Sequence, residues 1–278
     1  MNLNWKTIDR YLMGEAWTGS RIAEHAHVLC EKIGPRWSSS EAESQAIHYI
    51  QEQMVANRLD RAEAEPFDLR TWSYSKAEAL RSDGQPIDLV PFNCCPPCRV
   101  KAPLVDVGFG THREVEAARQ NLNGAIAIMN MGYEPFTTPV PHTDRLSQIA
   151  EAGAVAAVCV DSKTGRRAEY HNAGDWRDPE RAEPPLPVAT TSREHGALLR
   201  RLASKNEHLQ LTVESRHYDA PSANVVSQLD GTIWPDEHLV LGGHHDTVMG
   251  APGGNDNASG TIAVLETARV LADLKREL

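Results

Sequence analysis

Three residues of this 278-residue chain, His244, Asp246 and Asp256, have types and spacing that could bind a metal. Leu239-Val240-Leu241-Gly242-Gly243-His244-His245-Asp246 reads as an apolar, strand-like run ending at two glycines. Side chains two apart on an extended chain point the same way, so His244 and Asp246 share a side and His245 faces away. An imidazole ligates through one ring nitrogen and needs its other N–H held by a carboxylate or carbonyl. Asp246 is spaced to do that for His244. Met249-Gly250-Ala251-Pro252-Gly253-Gly254 then forms a loop, because glycine and proline interrupt a strand. From Ala258 the period is helical, with Ile262, Leu265, Ala268 or Arg269, and Leu271 to Ala272 near one face. Asp256 therefore falls at a strand-loop-helix junction. A helix N-terminus favours an ionised carboxylate and lets Asp256 or Asn257 cap it. Such a carboxylate has two oxygens with which to bridge two cations around a shared water. The same residues would also make an ordinary helix cap beside a surface histidine pair, and on residue types alone both readings stand.

His244-x-Asp246 followed by Gly253-Gly254-Asn255-Asp256-Asn257-Ala258-Ser259-Gly260, opening the helix Val264-Leu265-Glu266-Thr267-Ala268-Arg269-Val270-Leu271, resembles the co-catalytic zinc exopeptidases. That family includes leucyl aminopeptidases, glutamate carboxypeptidase and carboxypeptidase Q. The resemblance implies that His244 binds one zinc, that Asp256 bridges two, and that Asp246 is the catalytic-site residue orienting His244. It also implies a peptide or dipeptide substrate whose bond is cut by a two-zinc-activated water; cobalt and manganese suit related sites too. Asn255 stands where the family is often acidic. The family's general-base glutamate, a neighbouring glutamate ligand, a further acidic ligand and a last histidine lie well downstream, whereas only 22 residues follow Asp256 here. The expectation is an N-terminal fragment or a degenerate member, lacking the base and about half the ligands. Two other functions share the motif: a non-catalytic interaction protein of the same superfamily and a small-amide deacylase.

The elements that must hold these residues come from the rest of the chain. At 41% hydrophobic and 24% charged, the composition is that of a globular protein with a sizeable core. A net charge of −10 argues against nucleic acid or an anionic membrane as partner. No apolar run reaches membrane-spanning length, and Met1 to Arg10 has neither the hydrophobic core nor the cleavage site of a leader. The expected location is cytoplasmic, although members of the family are often secreted. A homodimer is compatible with the resemblance. Five cysteines without framework spacing fit a reducing compartment. Cys94-Cys95-Pro96-Pro97-Cys98 reads as a turn with incidental thiols, since no second ligand pair lies at zinc-site distance. Cys159, inside Ala156 to Val160, reads as core.

Two amphipathic helices should open the fold. One carries Ile22, Ala26, Leu29 and Ile33 and stops at Gly34-Pro35; the other follows Ser38-Ser39-Ser40 with Ala46, Ile47, Ile50 and Met54. Gly34-Pro35-Arg36 and the serines after it resemble the family's entry segment, with Arg36 expected as a surface or structural residue outside the site. His25, His27 and His48 are expected on solvated helix flanks. After Phe67 the helical period is lost. Pro103 to Gly108 and Gly124 to Met129 read as strands, Asp144 to Ala152 as a helix, Ala154 to Val160 as a buried strand, Leu186 to Ala189 as an edge-type strand, and Arg193 to Leu202 as a helix. The order strand, strand, helix, strand with "GAIAIM" and "AEAGAVAAVCV" resembles a protease-associated domain, which in these exopeptidases is inserted into the peptidase domain and holds no metal ligand. The polar stretch between Gly165 and Pro185 reads as a surface loop from which Trp176 could stack on a ligand. Asn224 to Leu229 and the motif run should be adjacent strands, with the site beyond their carboxyl ends.

The fold class expected is α/β: a zinc-exopeptidase mixed sheet flanked by helices, incomplete at its C-terminus, with an inserted α+β protease-associated domain. Residues 1–70 and 218–278 would be the peptidase segments and 71–217 the insert.

Overall fold

The structure, a computed structural model, describes residues 4–172, 174 and 183–277. The chain divides into two compact units, one of residues 1–71 and 219–278 and the other of residues 72–218. Trp176 lies outside the described residues.

In the first unit, helix α1 (Trp5–Thr18) precedes the two helices that periodicity shows. Its apolar positions are broken by charges, and in the structure only Ile8 on it is buried. Helix α2 (Ile22–Ala26) runs on as a wider π-helical turn, His27–Ile33, and ends at Gly34, whose φ of +78° turns the chain away. Helix α3 (Glu41–Ala56) is capped by Ser40, whose hydroxyl accepts from the Glu43 N–H at 3.1 Å. Helix α7 (Ser259–Glu277) closes the unit. Leu29, Ala46, Ala258 and Ile262 form one buried cluster, and Ile50, Met54 and Leu265 another, so α3 and α7 share their apolar faces. Arg269 and Ala272, expected on that face, are buried, whereas Leu271, also expected there, is 38% exposed and Val270 is buried instead. Arg269 can be buried because its guanidinium donates to Glu266 at 3.1 Å and to Glu15 of α1 at 2.8 Å. His25, expected in solvent, is fully buried, and its polarity is met by the Tyr49 hydroxyl at 2.7 Å. His27 and His48 are on exposed flanks, paired with Glu31 and Glu52.

The chain leaves this unit along β1 (Arg61–Arg81) and returns along β8 (His208–Gln228). Between them lie β2 (Pro86–Ile87), β3 (Val90–Pro91), β4 (Cys98–Asp106), α4 (His112–Leu122), β5 (Ile126–Asn130), α5 (His142–Glu151), β6 (Ala156–Val160), β7 (Val188–Thr191) and α6 (Arg193–Ala203). The strands make one mixed sheet in the order β2-β1-β8-β4-β5-β6-β7-β3, parallel from β4 to β7 and antiparallel at β8–β4 and β7–β3. Ala127, Met129, Ala157 and Cys159 face one buried cluster with Leu122 and Leu146; Ile126, Ile128 and Val158 face the other with Leu199 and Leu211. Burial on both faces explains why these strands read as continuous apolar runs rather than alternating ones.

Two expectations for this unit need correction. Helix α4 stands between the first two strands, marked by a capping box in which Thr111 and Glu114 satisfy each other's backbone N–H groups. The strand at Val188–Thr191 is internal, paired with β6 on one side and β3 on the other, and all four residues are buried. The prolines that suggested an edge lie just before it, at 184, 185 and 187.

Candidate functional site

His244, Asp246 and Asp256 meet in the first unit. The His244 Nδ1 lies 3.0 Å from Asp246 Oδ1, and its Nε2 lies 2.9 Å from Asp256 Oδ1. The ring is thus held between two carboxylates that stand ten positions apart in the sequence. Ser38 donates its hydroxyl to the other Asp246 oxygen at 3.1 Å. All three site side chains are accessible, with Asp256 79% exposed.

The scaffold differs from the expected one. Leu239 to Leu241 is not a strand: among the described residues it pairs with none, and Leu239 and Val240 are 88% and 86% exposed. A strand is made by ladder hydrogen bonds to a neighbour, and β8, expected to pair with this run, ends at Gln228 beside Asp60 instead. The geometry beyond strand ends therefore does not build the site here. His244 is seated against the start of α7: Thr261 donates its hydroxyl to the His244 carbonyl at 3.0 Å, and a Cβ on Gly243 would come within 2.9 Å of the Gly260 backbone. Gly253, at φ +61°, begins the turn Gly254–Ala258, in which Asp256 and Asn257 leave helical dihedrals and are joined by a cis peptide. Asn257, not Asp256, caps α7, its side-chain oxygen accepting from the Gly260 N–H at 3.1 Å. This leaves the Asp256 carboxylate free of the capping role that the residue types allow.

Residues that were not singled out for the site hold it from behind. Arg36 is fully buried, and its guanidinium donates to the carbonyls of Leu29 and Gly34 at 2.6 Å each, His245 at 2.8 Å and Pro252 at 3.0 Å. Its backbone pairs with Thr247, donating to the hydroxyl at 2.8 Å and accepting the Thr247 N–H at 2.9 Å. Burial lowers its pKa, while Cys30 and Asp246 act the other way. Glu43 is 3% exposed; its carboxylate accepts from the Ser39 N–H at 2.5 Å and the Ser222 hydroxyl at 2.9 Å and faces His245 Nε2 at 3.3 Å. His245 thus points its Nε2 at Glu43, and with His244, Asp246, Ser222 and Leu265 it lines a cavity of about 360 Å³. The spacing Ser40-x-x-Glu43 signals a helix start, but nothing in it points to His245.

The zinc implied by the motif can be tested against these donors. In tetrahedral geometry, Zn–N and Zn–O bonds of about 2.0–2.2 Å put two donors on one ion about 3.3–3.6 Å apart. His244 Nε2 and Asp256 Oδ1, 2.9 Å apart, would have to part by roughly half an ångström to reach that separation, and an imidazole nitrogen with a carboxylate oxygen suits zinc. The pair fits as two donors. Among the described residues no group of three or more His, Cys, Asp or Glu side chains is arranged to hold a metal ion.

Comparison with known proteins agrees with the sequence motifs. Residues 224–278 match the model of peptidase family M28, and residues 100–199 match that of the PA domain. Carboxypeptidase Q of Bos taurus is 22% identical over 264 residues, which cover 92% of this chain and 55% of that protein. Among solved structures, a peptidase M28 precursor from Shewanella amazonensis superposes with a TM-score of 0.75 at 21% identity, covering 96% of this chain and 63% of that one. A zinc aminopeptidase from Bacillus subtilis gives 0.70 at 22% identity, covering 90% and 57%. The chain spans little more than half the length of these relatives, and its fold is theirs. Among the described residues no helix is long and apolar enough to cross a membrane. The segment that holds His244, Asp246 and Asp256 is thus similar to peptidase family M28, and the unit set into the chain ahead of it is similar to the PA domain.

Proposed function

We propose that this chain contributes to a metal-dependent exopeptidase, of aminopeptidase or dipeptidase type, with His244 and Asp256 as metal donors and Asp246 as the residue that orients His244. The reading rests on one observation, the 2.9 Å approach of His244 Nε2 to Asp256 Oδ1 within the segment matched to family M28. His244 and Asp256 would hold a zinc ion, which would supply a Lewis acid for the scissile carbonyl and lower the pKa of a water to about 7. Asp246 accepts the Nδ1 proton of His244, which fixes the tautomer and leaves the Nε2 lone pair for the ion. Ser38 holds the Asp246 carboxylate in place for that bond. Because Asn257 caps the helix, the Asp256 carboxylate is not used as a cap and would be available, beside His244 Nε2, to hold metal. The substrate is a peptide or dipeptide, and residues 72–218, with their PA domain, form the unit inserted between two peptidase segments.

Calorimetric titration of the 278-residue chain with zinc, cobalt and manganese, run beside an aminoacyl-amide assay, tests this. The expected result is weak binding of zinc that His244→Ala and Asp256→Ala abolish, without appreciable turnover by this chain alone. Zinc binding that survives both substitutions would refute the donor assignment, and appreciable turnover would mean that a base has been missed.

A further inference from the structure

We infer that Arg36 is the positioning residue that sets the separation of His244 and Asp256. The inference rests on reading those two residues as metal donors. They belong to segments joined in sequence by a loop that, with five residues of glycine, alanine and proline from 250 to 254, does not by itself hold its ends at a distance; the Thr261 hydroxyl on the His244 carbonyl is one tie across it. Arg36 bridges the two segments. One edge of its guanidinium donates to the His245 carbonyl, next to His244, and another to the Pro252 carbonyl, at the start of the turn into Asp256. A third anchor is the end of the π-helical turn, through Leu29 and Gly34. The backbone pairing with Thr247 adds a fourth.

The chemistry of this arrangement favours arginine specifically. A planar fork with donors at fixed angles can satisfy carbonyls on separate segments at once, whereas an ammonium is a compact point charge on a flexible stem. Burying a guanidinium without a carboxylate partner is costly, and no carboxylate is within ion-pair distance of Arg36 among the described residues. The cost is offset by four carbonyl oxygens, one on Nε and three sharing Nη1, two of them on the donor-bearing segments, while the buried Nη2 has no hydrogen-bond partner among the described residues. Arg145 in the other unit makes a similar clamp on the carbonyls of Phe109, Asn130, Met131 and Gly132, where no candidate ligand stands. A buried arginine can therefore serve packing alone, so the test must read donor geometry and not stability.

The experiment uses the 278-residue chain with Arg36→Lys, Thr247→Val and His244→Ala. Zinc affinity is read by calorimetry, and the His244 ring nitrogen shifts are read by NMR in the metal-free protein. Thr247→Val removes the side-chain acceptor for the Arg36 N–H together with the hydroxyl's bond to the Val248 carbonyl, leaves the guanidinium in place, and is the milder change. Arg36→Lys is expected to weaken zinc binding about 10-fold or more and to move the His244 ring shifts, while unfolding stays cooperative. Thr247→Val is expected to weaken zinc binding about 3-fold. A folded Arg36→Lys chain with wild-type affinity and unchanged ring shifts would overturn the inference. If that variant does not fold, unchanged affinity and shifts in Thr247→Val overturn it. If the wild-type chain takes up no zinc, or His244→Ala binds it as well, the donor reading fails instead, and the metal-free ring shifts still decide the role of Arg36.

Discussion

The His25 imidazole and the Tyr49 hydroxyl stand 2.7 Å apart in the interior of the helical unit, where α2 meets α3, and Glu266 of α7 faces the other ring nitrogen at 3.5 Å. Burial lowers the His25 pKa, Arg21 lowers it further, and Glu266 and Glu24 oppose both. A histidine whose folded-state pKa lies below its unfolded value of about 6.5 binds fewer protons folded than unfolded as the pH falls between the two. Stability from this group is therefore fully present above about pH 6.5 and is lost as pH drops toward the folded pKa. The thermal midpoint should fall between pH 7.5 and 5.5. In His25→Gln that fall should be smaller, at a cost of about 1 kcal/mol at pH 7.5 for the weakened hydrogen bond. His171, in the other unit, is also lowered, by burial and then by His142, and adds a slope of the same sign that the substitution leaves in place. An identical pH dependence in both proteins would remove His25 as a source.

Gly243 has no room for a side chain: a Cβ would sit 2.9 Å from the Gly260 carbonyl carbon and 3.0 Å from the Thr261 nitrogen, both backbone atoms of the α7 start. Backbone cannot move aside as a flexible side chain can. Gly243→Ala should therefore push the motif off the helix, break the Thr261–His244 hydrogen bond and destabilise the chain by about 1–3 kcal/mol. Denaturant unfolding measures the loss, and zinc titration of the same variant should show weaker binding. A variant as stable as the wild type would mean that the run packs less closely than the distances indicate.

How legible these features are in the sequence depends on whether a residue's role is local. Ser40 capping α3, the apolar positions Ala46, Ile50 and Met54, and the continuous runs of β5 and β6 all follow from short-range pattern, and the structure has them. The approach of His244 to Asp246 follows from alternation along an extended segment. Pattern misleads where a partner lies far away in sequence. Leu239 to Leu241 has strand composition, but composition cannot supply the neighbour that a ladder needs. His25 resembles a surface histidine on its helix until Glu266, 241 positions away, is brought beside it. Arg36 and Glu43 act through His245, Pro252 and Ser222, some 180 to 215 positions on, so no local spacing marks them. The helix at His112–Leu122 is a different case: Thr111-x-x-Glu114 has capping-box spacing, but an apolar stripe buried only at Val115 and Leu122 is too short to mark a helix by periodicity.

Leu265 is fully buried between Ile50 and Met54, where α3 and α7 share one apolar cluster. Truncation there removes a side chain from each helix's contact at once. Leu265→Ala should cost about 2–5 kcal/mol, the range for a buried leucine that leaves a cavity. The loss should appear as a lower denaturant midpoint with little change in slope. Leu271, 38% exposed one and a half turns further on, is the control, and Leu271→Ala should cost well under half as much. Equal costs would contradict the burial that separates the two leucines.

Asp246→Asn separates charge from shape in the support of His244. The amide keeps an oxygen near Nδ1, so the hydrogen bond seen at 3.0 Å can form, but the negative charge that raises imidazole basicity is gone. Ser38, donor to the second Asp246 oxygen at 3.1 Å, would meet either an amide oxygen or an N–H there, and the rotamer that satisfies one partner strains the other. If orientation and charge both act through Asp246, zinc affinity should fall about 10- to 100-fold in Asp246→Asn. Ser38→Ala, which leaves the charge in place, should fall by a smaller factor. Asp246→Asn with wild-type zinc affinity would show that His244 is oriented by its seat on α7 alone, through the Thr261 hydroxyl and the close contact at Gly243.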